Sequence, residues 1–463
     1  MNGTDTFLNS IDQDYSGYAM AQSESLEMLN KALEAGSGAD ASGFTGGRAL
    51  IPESLDNTLV NILWNQDEAV LFQRLKKQPI KSPVHQWDVR DEVGSNDGAW
   101  VPEGGNSEEA DQSIARKFET AKYLQTLRKV TLQASISNMI ENAMVLEQNA
   151  GTLWIIRNIE TSLFYGNDDY VSEQPNGLNA QIPVTNILDA RGASADSATF
   201  ENMVNEGQRI IRENFGKGDI MLMSPKNMED FQRLMRDRIR VAPSEGGMGA
   251  YVFDRYPTTF GTLELREDIF IQEGVAPSAS SLTSKVPGTP TFAGGDISAG
   301  GSGSQFTAGD AGTYSYKLVA LNRYGDSAAT SAQTVTVAAG EEVTITVNHG
   351  TAPAPTAIKV YRQDPGGSEH LYAFTVADPG DGNTIKDTNA HLPGTSDVYI
   401  LTMGQMYDAI EWFQFLPLMK FDLYPTNAAV YPFLMLLFGA LALKKPVQHI
   451  RIKNVAPSSL GWY

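Results

Sequence analysis

The chain has 463 residues, too many for one hydrophobic core, since single cores stop growing near roughly 250 to 300 residues. Its formal charge of −20 disfavours a protein that grips nucleic acid through phosphates, because such a protein carries a basic face. With no Cys, disulfides, thiolate zinc sites and cysteine nucleophiles are excluded, and a hydrophobic share of 41 % is that of a folded chain.

The first residues carry Asp5, Asp12 and Asp14 and lack both a basic start and an apolar run, so they do not read as a secretory signal, and the protein is expected to be made and used on the cytoplasmic side. Residues 23–35 place Leu26, Leu29 and Leu33 at helical spacing before a Gly/Ser/Ala stretch at 36–47, which predicts a short helix on a flexible arm. A second helical segment at 52–75 puts Leu55, Leu59, Ile62 and Leu63 on one face and leads out through Leu71, Phe72 and Leu75.

Residues 80–133 change character, with strand-like pieces at 85–89 and 118–130 around the polar tip GSNDGAWVPEGGNSEEADQS. The pattern predicts a long two-stranded excursion too poor in apolar residues to form its own core. A hairpin of that kind is marginal alone in water, so it is expected to rest on other subunits. Trp100 with Val101 and Pro102 on this tip is either a partner contact or local packing across the hairpin; the two readings stand level.

The longest helical signal follows: Met139, Ala143, Leu146, Ala150, Leu153, Ile156, Ile159 and Leu163 repeat every three or four residues, and Gly166 and Asn167 end it. At about 1.5 Å per residue this is a rod of roughly 40 Å whose stripe is expected to be core. Next come a helix at 198–215, a short strand at 220–223, and a helix through 238 that Ser224 caps and Pro225 starts. The loop APSEGGMGA, with Gly246, Gly247 and Met248, reads as a tip, followed by strand-like pieces at 262–266 and 269–272.

From Gly274 onward the text APSASSLTSKVPGTPTFAGGDISAGGSGS reads as linker, and residues 312–392 then alternate throughout, for example at Tyr314, Tyr316 and Leu318 and at Val343, Ile345 and Val347. Five or more short strands at such spacing predict a sandwich inserted into a larger domain. The chain resumes with a strand at 398–401, an apolar segment to Leu423, a helix at 427–443 and a closing strand at 447–455. The apolar run 428–443 falls short of the roughly 20 residues of a membrane span and contains Pro432, so it reads as a buried helix and no membrane is expected.

Residues that could carry chemistry do not converge. The five histidines, His85, His349, His370, His391 and His449, are scattered, and neither H-E-x-x-H, a phosphate-binding glycine loop nor G-x-S-x-G is present. Asp378, Asp381 and Asn383 read as a turn, since the spacing and bidentate acid of a calcium loop are missing. No catalytic, cofactor or metal site is expected.

The order of these parts resembles the major capsid proteins of tailed phages with the Hong Kong 97-like fold. AWVPEGGNSEEADQSIARKFETAKYLQTLRKVTLQ (99–133) is similar to that family's extended E-loop, residues 137–165 to its spine helix, DIMLMSPKNMEDF (219–231) to its axial domain, and FGALALKKPVQHIRIKNV (438–455) to its closing helix and strand. KVYRQDPGGSEHLYAF and IKDTNAHLPGT resemble immunoglobulin-like or fibronectin type III-like domains of phage structural proteins. The resemblance implies an α+β fold divided as N-terminal arm 1–65, E-loop region 66–133, spine helix with the first part of the peripheral and axial domains 134–273, linker and inserted all-β Ig-like sandwich 274–397, and closing part 398–463. It further implies a non-enzymatic shell subunit that assembles in the host cytoplasm into the hexamers and pentamers of an icosahedral virion, enclosing DNA without reading its sequence, with a portal and scaffold or decoration proteins as further partners. Subunit contacts are expected at Trp100, Val101, Pro102 and Glu103 on the hairpin tip, at Arg128 and Lys129, and at Gly246, Gly247 and Met248. The rival readings are a carbohydrate-active enzyme with a fibronectin-like accessory module, which needs a pair of carboxylates in a cleft, and another assembling protein, an encapsulin or a tail component.

Overall fold

The computed structural model describes residues 68–92, 100–106, 112–137, 142–238, 254–280, 282, 284–350, 353–404, 408–425 and 428–458. The helix expected at 23–35, the segment 52–67 and the loop 242–250 lie outside the described residues. The chain divides into two units, Met1–Ile62, outside the described residues, and Leu63–Tyr463, which carries all the elements that follow.

A six-stranded mixed sheet forms the body, in the order Ile187–Asp189, Ile450–Val455, Ser396–Leu401, Ile220–Met223, Gly261–Glu267, Arg255–Thr258. Its strand Ile220–Met223 is apolar at every position because both of its faces are covered. Alternation then divides the central strands between two cores. Met221, Met223, Val398 and Ile400 meet Phe200, Val204, Ile211 and Phe231 of the helices Ala198–Glu213 and Pro225–Arg238. Ile220, Leu222, Tyr399 and Leu401 turn the other way, into the core they share with Ile159, Leu163 and Phe164 of the long helix Ala143–Tyr165. The cap expected at Ser224 is present, its Oγ accepting the Asn227 N–H at 3.3 Å, and Ser197 caps the preceding helix in the same way, accepting the N–H of Phe200 at 3.2 Å.

The long helix begins at Asn142, whose Oδ1 accepts the Met144 N–H at 2.9 Å, and ends at Gly166. Gly166 is not in a left-handed conformation; it is needed because a Cβ would fall 2.3 Å from the Pro175 carbonyl oxygen, where the chain doubles back. The buried side is Ala143, Gly151, Ile155, Ile159 and Leu163, while Leu146, Ala150, Leu153 and Ile156 of the expected stripe are half-buried. The helix is apolar around much of its circumference, so periodicity alone did not single out the face that packs.

Beside the body lies a four-stranded sheet, in the order Lys77–Pro79, Ile410–Asp422, Val430–Leu443, Lys122–Thr131. Here the expected helix at 427–443 is overturned: residues Val430–Leu443 are a strand, paired along both edges with Ile410–Asp422 and Lys122–Thr131. Leu, Met and Ala favour helix locally, and with apolar residues on both faces the period of two is masked. Tertiary pairing decides, and Pro432, awkward in a helix interior, sits near the strand's start. Gly439 is required there, since a Cβ would lie 2.5 Å from the Phe413 carbonyl oxygen and from the Trp412 ring.

The excursion is also built differently from expectation. Residues 118–130 are not one strand: Ser113–Thr120 pairs with Val84–Glu92 as a hairpin, and one residue later Lys122–Thr131 enters the four-stranded sheet. Of the helix expected at 52–75, the described part is the short helix Val70–Arg74. Residues 269–272 are a turn and not a strand, because Asp268 Oδ1 takes the Phe270 N–H at 2.9 Å.

Between Gly274 and Asp397 two sheets face one another. One contains Gly312–Asn322 flanked by Ala357–Gln363 on one side and by Gln333–Val337 and Gly325–Asp326 on the other, with Leu371–Ala377 beyond; the other is Asn383–Asp387, Glu342–Asn348, Thr291–Gly300. Tyr316, Leu318, Ile358 and Val360 of the first close a core with Val343, Ile345, Val347 and Ile385 of the second. The strand Thr291–Gly300 lies within text expected to be linker; its glycines carry no strand propensity, and pairing with Glu342–Asn348 holds it. A buried ion pair crosses this core: Arg362, 1 % exposed, donates to Asp387 at 2.9 Å, and Tyr316 Oη donates to the same oxygen at 2.9 Å.

Candidate subunit-contact surfaces

The two faces of the four-stranded sheet have different fates. Leu124, Phe433, Met435 and Leu437 point at the long helix, where Gly151 leaves room for Met435. The register places Tyr123, Leu127, Leu434, Leu436, Phe438 and Phe421 on the opposite face. At one end that face is covered by the chain itself, as His85 and Trp87 at the hairpin root pack edge-on against Phe413 at 4.2 and 5.6 Å, with Ile80, Ala121 and Ala442 around them. Toward the other end it is bare, with Tyr123 57 %, Leu127 61 % and Phe421 52 % exposed. Tyr123 and Phe438 touch edge to face at 4.9 Å, so the bare part is continuous across strands.

Alternation also gives the hairpin two faces. His85, Trp87 and Val89 are half-buried, whereas Ile114 and Phe118 stand out to solvent, Phe118 66 % exposed. Beyond the paired strands, Gly105 N–H closes a turn on the Pro102 carbonyl at 2.8 Å, and Trp100 is 97 % exposed. Among the described residues, none packs over Trp100 across the hairpin. The hairpin root is anchored ionically: Lys76 reaches Asp408 at 2.7 Å and the buried Glu411 at 2.5 Å, and Lys444 joins both acids from the far strand.

Trp100, Val101, Pro102 and Glu103 thus lie together, all exposed, on the tip. Lys129 stands exposed at the rim of the bare sheet face, opposite Pro432. Arg128 points the other way, to Glu147 of the long helix at 3.5 Å, and serves the chain's own packing. Gly246, Gly247 and Met248 lie outside the described residues. Sequence reasoning missed Ile114, Phe118, Tyr123, Leu127 and Phe421. A signal was there: Lys122–Thr131 carries apolar residues at both parities, Leu124 and Val130 against Tyr123 and Leu127, which a strand with one solvated face does not need.

Among the described residues no group of three or more His, Asp or Glu converges as metal ligands. The acids of the 378–383 turn are taken by backbone, Asp378 Oδ1 by the Gly380 N–H at 3.1 Å and Asp381 Oδ1 by that of His349 at 2.8 Å. A cavity of about 560 Å³ lies between the sandwich and the body, lined by Tyr165, Tyr372, Lys359 and Arg451 among others. Arg451 is already paired there with Asp397 at 2.9 Å, and Lys359 with Asp326 at 2.7 Å. No helix of the described residues is long and apolar enough to cross a membrane.

Two sequence relatives share most of their length with the chain. The major capsid protein of Staphylococcus phage K is 25 % identical over 434 residues, which covers 88 % of this chain and 90 % of that protein. A protein described as the putative major capsid protein of Enterococcus phage phiEF24C is 24 % identical over 455 residues, 90 % of this chain and 95 % of the relative. Among solved structures, the holo-SrpI encapsulin complex of Synechococcus elongatus matches 90 % of this chain and 96 % of its own at a TM-score of 0.46 and 9 % identity. A structure from Gordonia phage Cozz matches 90 % and 95 % at 0.45 and 12 %. The profile of the SU10 major capsid protein matches residues 32–280, more than half of the chain, and the protein belongs to that capsid protein family.

Proposed function

We propose that identical copies of this major capsid protein close into an icosahedral phage head of hexamers and pentamers around double-stranded DNA, with the Hong Kong 97-like division of labour. In this reading residues 66–133 are the E-loop region, 134–273 and 398–463 build the spine helix, peripheral and axial parts, and 1–65 are an arm. The chain works as a non-catalytic wall of the virion, assembled in the host cytoplasm, and meets a portal and scaffold or decoration proteins. The sandwich within 274–397 is an Ig-like ornament that projects outward, since on the inside it would crowd the packaged DNA.

One observation carries the proposal. The hairpin strand Ser113–Thr120 passes through the single residue Ala121 into Lys122–Thr131, yet the sheet face that carries Tyr123, Leu127 and Phe421 stays exposed. Phe118, Ile114 and Trp100 on one side and Tyr123, Leu127 and Phe421 on the other are two apolar surfaces left bare on one chain. A second copy satisfies both when its hairpin lies across the first copy's sheet. Such a contact is head-to-tail and repeats around a ring, which turns many modest contacts into a closed shell. Each buried aromatic contributes on the order of 1.5 to 3 kcal/mol.

Negative-stain microscopy of the purified chain tests this. Closed shells are expected, whereas a monodisperse monomer at every concentration, with phage partners supplied, defeats it. Replacing both Trp100 and Phe118 by Ser is expected to abolish shells while leaving a folded monomer.

A further inference from the structure

The short helix Val70–Arg74 leads into the hairpin root, and its docking on the long helix is made by an acid. Glu160, fully buried on the long helix, accepts the N–H of Leu71 at 2.7 Å with one carboxylate oxygen and that of Phe72 at 3.0 Å with the other. A second acid, Asp268, 1 % exposed, arrives from the end of the strand Gly261–Glu267, anchored by its own N–H on the Met223 carbonyl at 2.9 Å and by Oδ1 on the Phe270 N–H at 2.9 Å. Its Oδ2 is buried without a hydrogen bond of good geometry, and its carboxyl group lies beside Glu160 and the backbone of Val70 and Leu71. The cation of the short helix, Arg74, is not available to the acids, because it is held on both arms by Glu264 of the same strand at 2.7 Å. Two carboxyl groups thus meet at one buried point, with no countercharge between them among the described residues. Two carboxylates cannot both ionise in such a place.

We propose that Glu160 and Asp268 share one proton, and that this acid pair is a pH-dependent latch holding the root of the hairpin against the long helix. The shared proton accounts for the otherwise unpartnered Asp268 oxygen, which donates to or accepts from Glu160 while the Glu160 oxygens keep the Leu71 and Phe72 N–H groups. Burial, followed for Glu160 by the charge of Asp268, raises the affinity of both acids for protons. The folded state therefore binds more protons than the unfolded one: the docking is at full strength below the ordinary carboxyl range and weakens as pH rises through the raised value. The latch is intramolecular and stands or falls independently of shell assembly.

Amide hydrogen exchange of the peptide spanning residues 68–76 in the full chain, corrected for the intrinsic rate at each pH, reads the latch directly. Protection in the native chain is expected to fall by about tenfold or more between about pH 5 and pH 9, a tenfold change for each unit titrated. Asp268→Asn places a permanent N–H donor where the shared proton sits, so protection there should persist and become flat with pH. A flat profile in the native chain, or an unchanged slope in D268N, overturns the proposal. Should D268N not fold, the infrared carbonyl stretch of a protonated carboxyl at neutral pH decides: present in the native chain and lost in E160Q supports the shared proton, and absent from the native chain refutes it.

Discussion

The sandwich and the sheet that bears the hairpin are built from strands of similar alternation, yet they settle their apolar faces differently. In the sandwich Tyr316, Leu318, Ile358 and Val360 find partners on the facing sheet, and Arg362, Tyr316 and the Asn389 N–H all converge on Asp387. The four-stranded sheet buries one face under the long helix and leaves much of the other uncovered, and the hairpin adds Phe118 and Trp100 to the exposed apolar surface. The contrast teaches that strand pattern reports which positions are apolar, but not whether the cover comes from the same chain. The two facing sheets of 274–397 close their core within the chain; in the proposed assembly the four-stranded sheet and hairpin are finished by copies.

The largest break between the two regions is expected from assembly. Trp100→Ser with Phe118→Ser should eliminate shells in light scattering while changing the monomer's unfolding free energy by no more than about 0.5 kcal/mol, as for exposed positions generally. A matching loss of monomer stability would mean that the hairpin is packed within its own chain.

Asp387→Ala should do the reverse. It strands the buried Arg362 charge and the Tyr316 hydroxyl, a loss on the order of 3 to 5 kcal/mol, so the sandwich should unfold in limited proteolysis while shells still form. Failure of both would show that the sandwich is part of the assembly machinery.

A smaller effect comes with acid. Burial, helped by Arg451 and Lys453, pushes His391 at the foot of the sandwich down to about 4, and burial alone takes His449 of the body down to about 4. Each is held neutral in the fold, so the folded state binds fewer protons than the unfolded one, and stability present above the ordinary histidine value of about 6.5 is lost as pH falls toward 4. The loss is on the order of 3 kcal/mol per site. Calorimetry between pH 7 and 4 should show it, and His391→Asn should flatten the sandwich's share. The smallest effect is expected from Arg116→Ala, which removes an exposed cross-strand pair with Asp88 at 2.8 Å and should leave thermal unfolding unchanged.

Much of the body was legible because local and tertiary signals agree there. Ser224 and Pro225 mark the start of a helix by capping chemistry, and Ile220–Met223 is a short apolar run bounded by turn residues. The long helix was legible as an element but not by its packing face, which Gly151 and Met435 decide. On the contact surfaces Trp100 stood out as an aromatic in a polar tip, whereas Phe118 and Leu127 looked like ordinary strand residues until the register assigned them a face. Arg128 and Lys129 are neighbours in sequence, yet alternation sends one to Glu147 and the other to solvent.

From its residues alone the chain declared itself a multi-part α+β protein without thiols, because composition, capping and periodicity are local properties that survive without knowledge of neighbours. What only the tertiary structure decided was the state of Val430–Leu443, the strand hidden in the glycine-rich stretch Thr291–Gly300, and the meeting of Glu160 with Asp268, 108 positions apart as the difference of the two residue numbers. An apolar run with no polar side satisfies helix and strand equally, and two acids distant in sequence share a proton only once three elements have brought them to the same buried point. These outcomes depend on which edges pair and which faces close, and that information belongs to the packed chain.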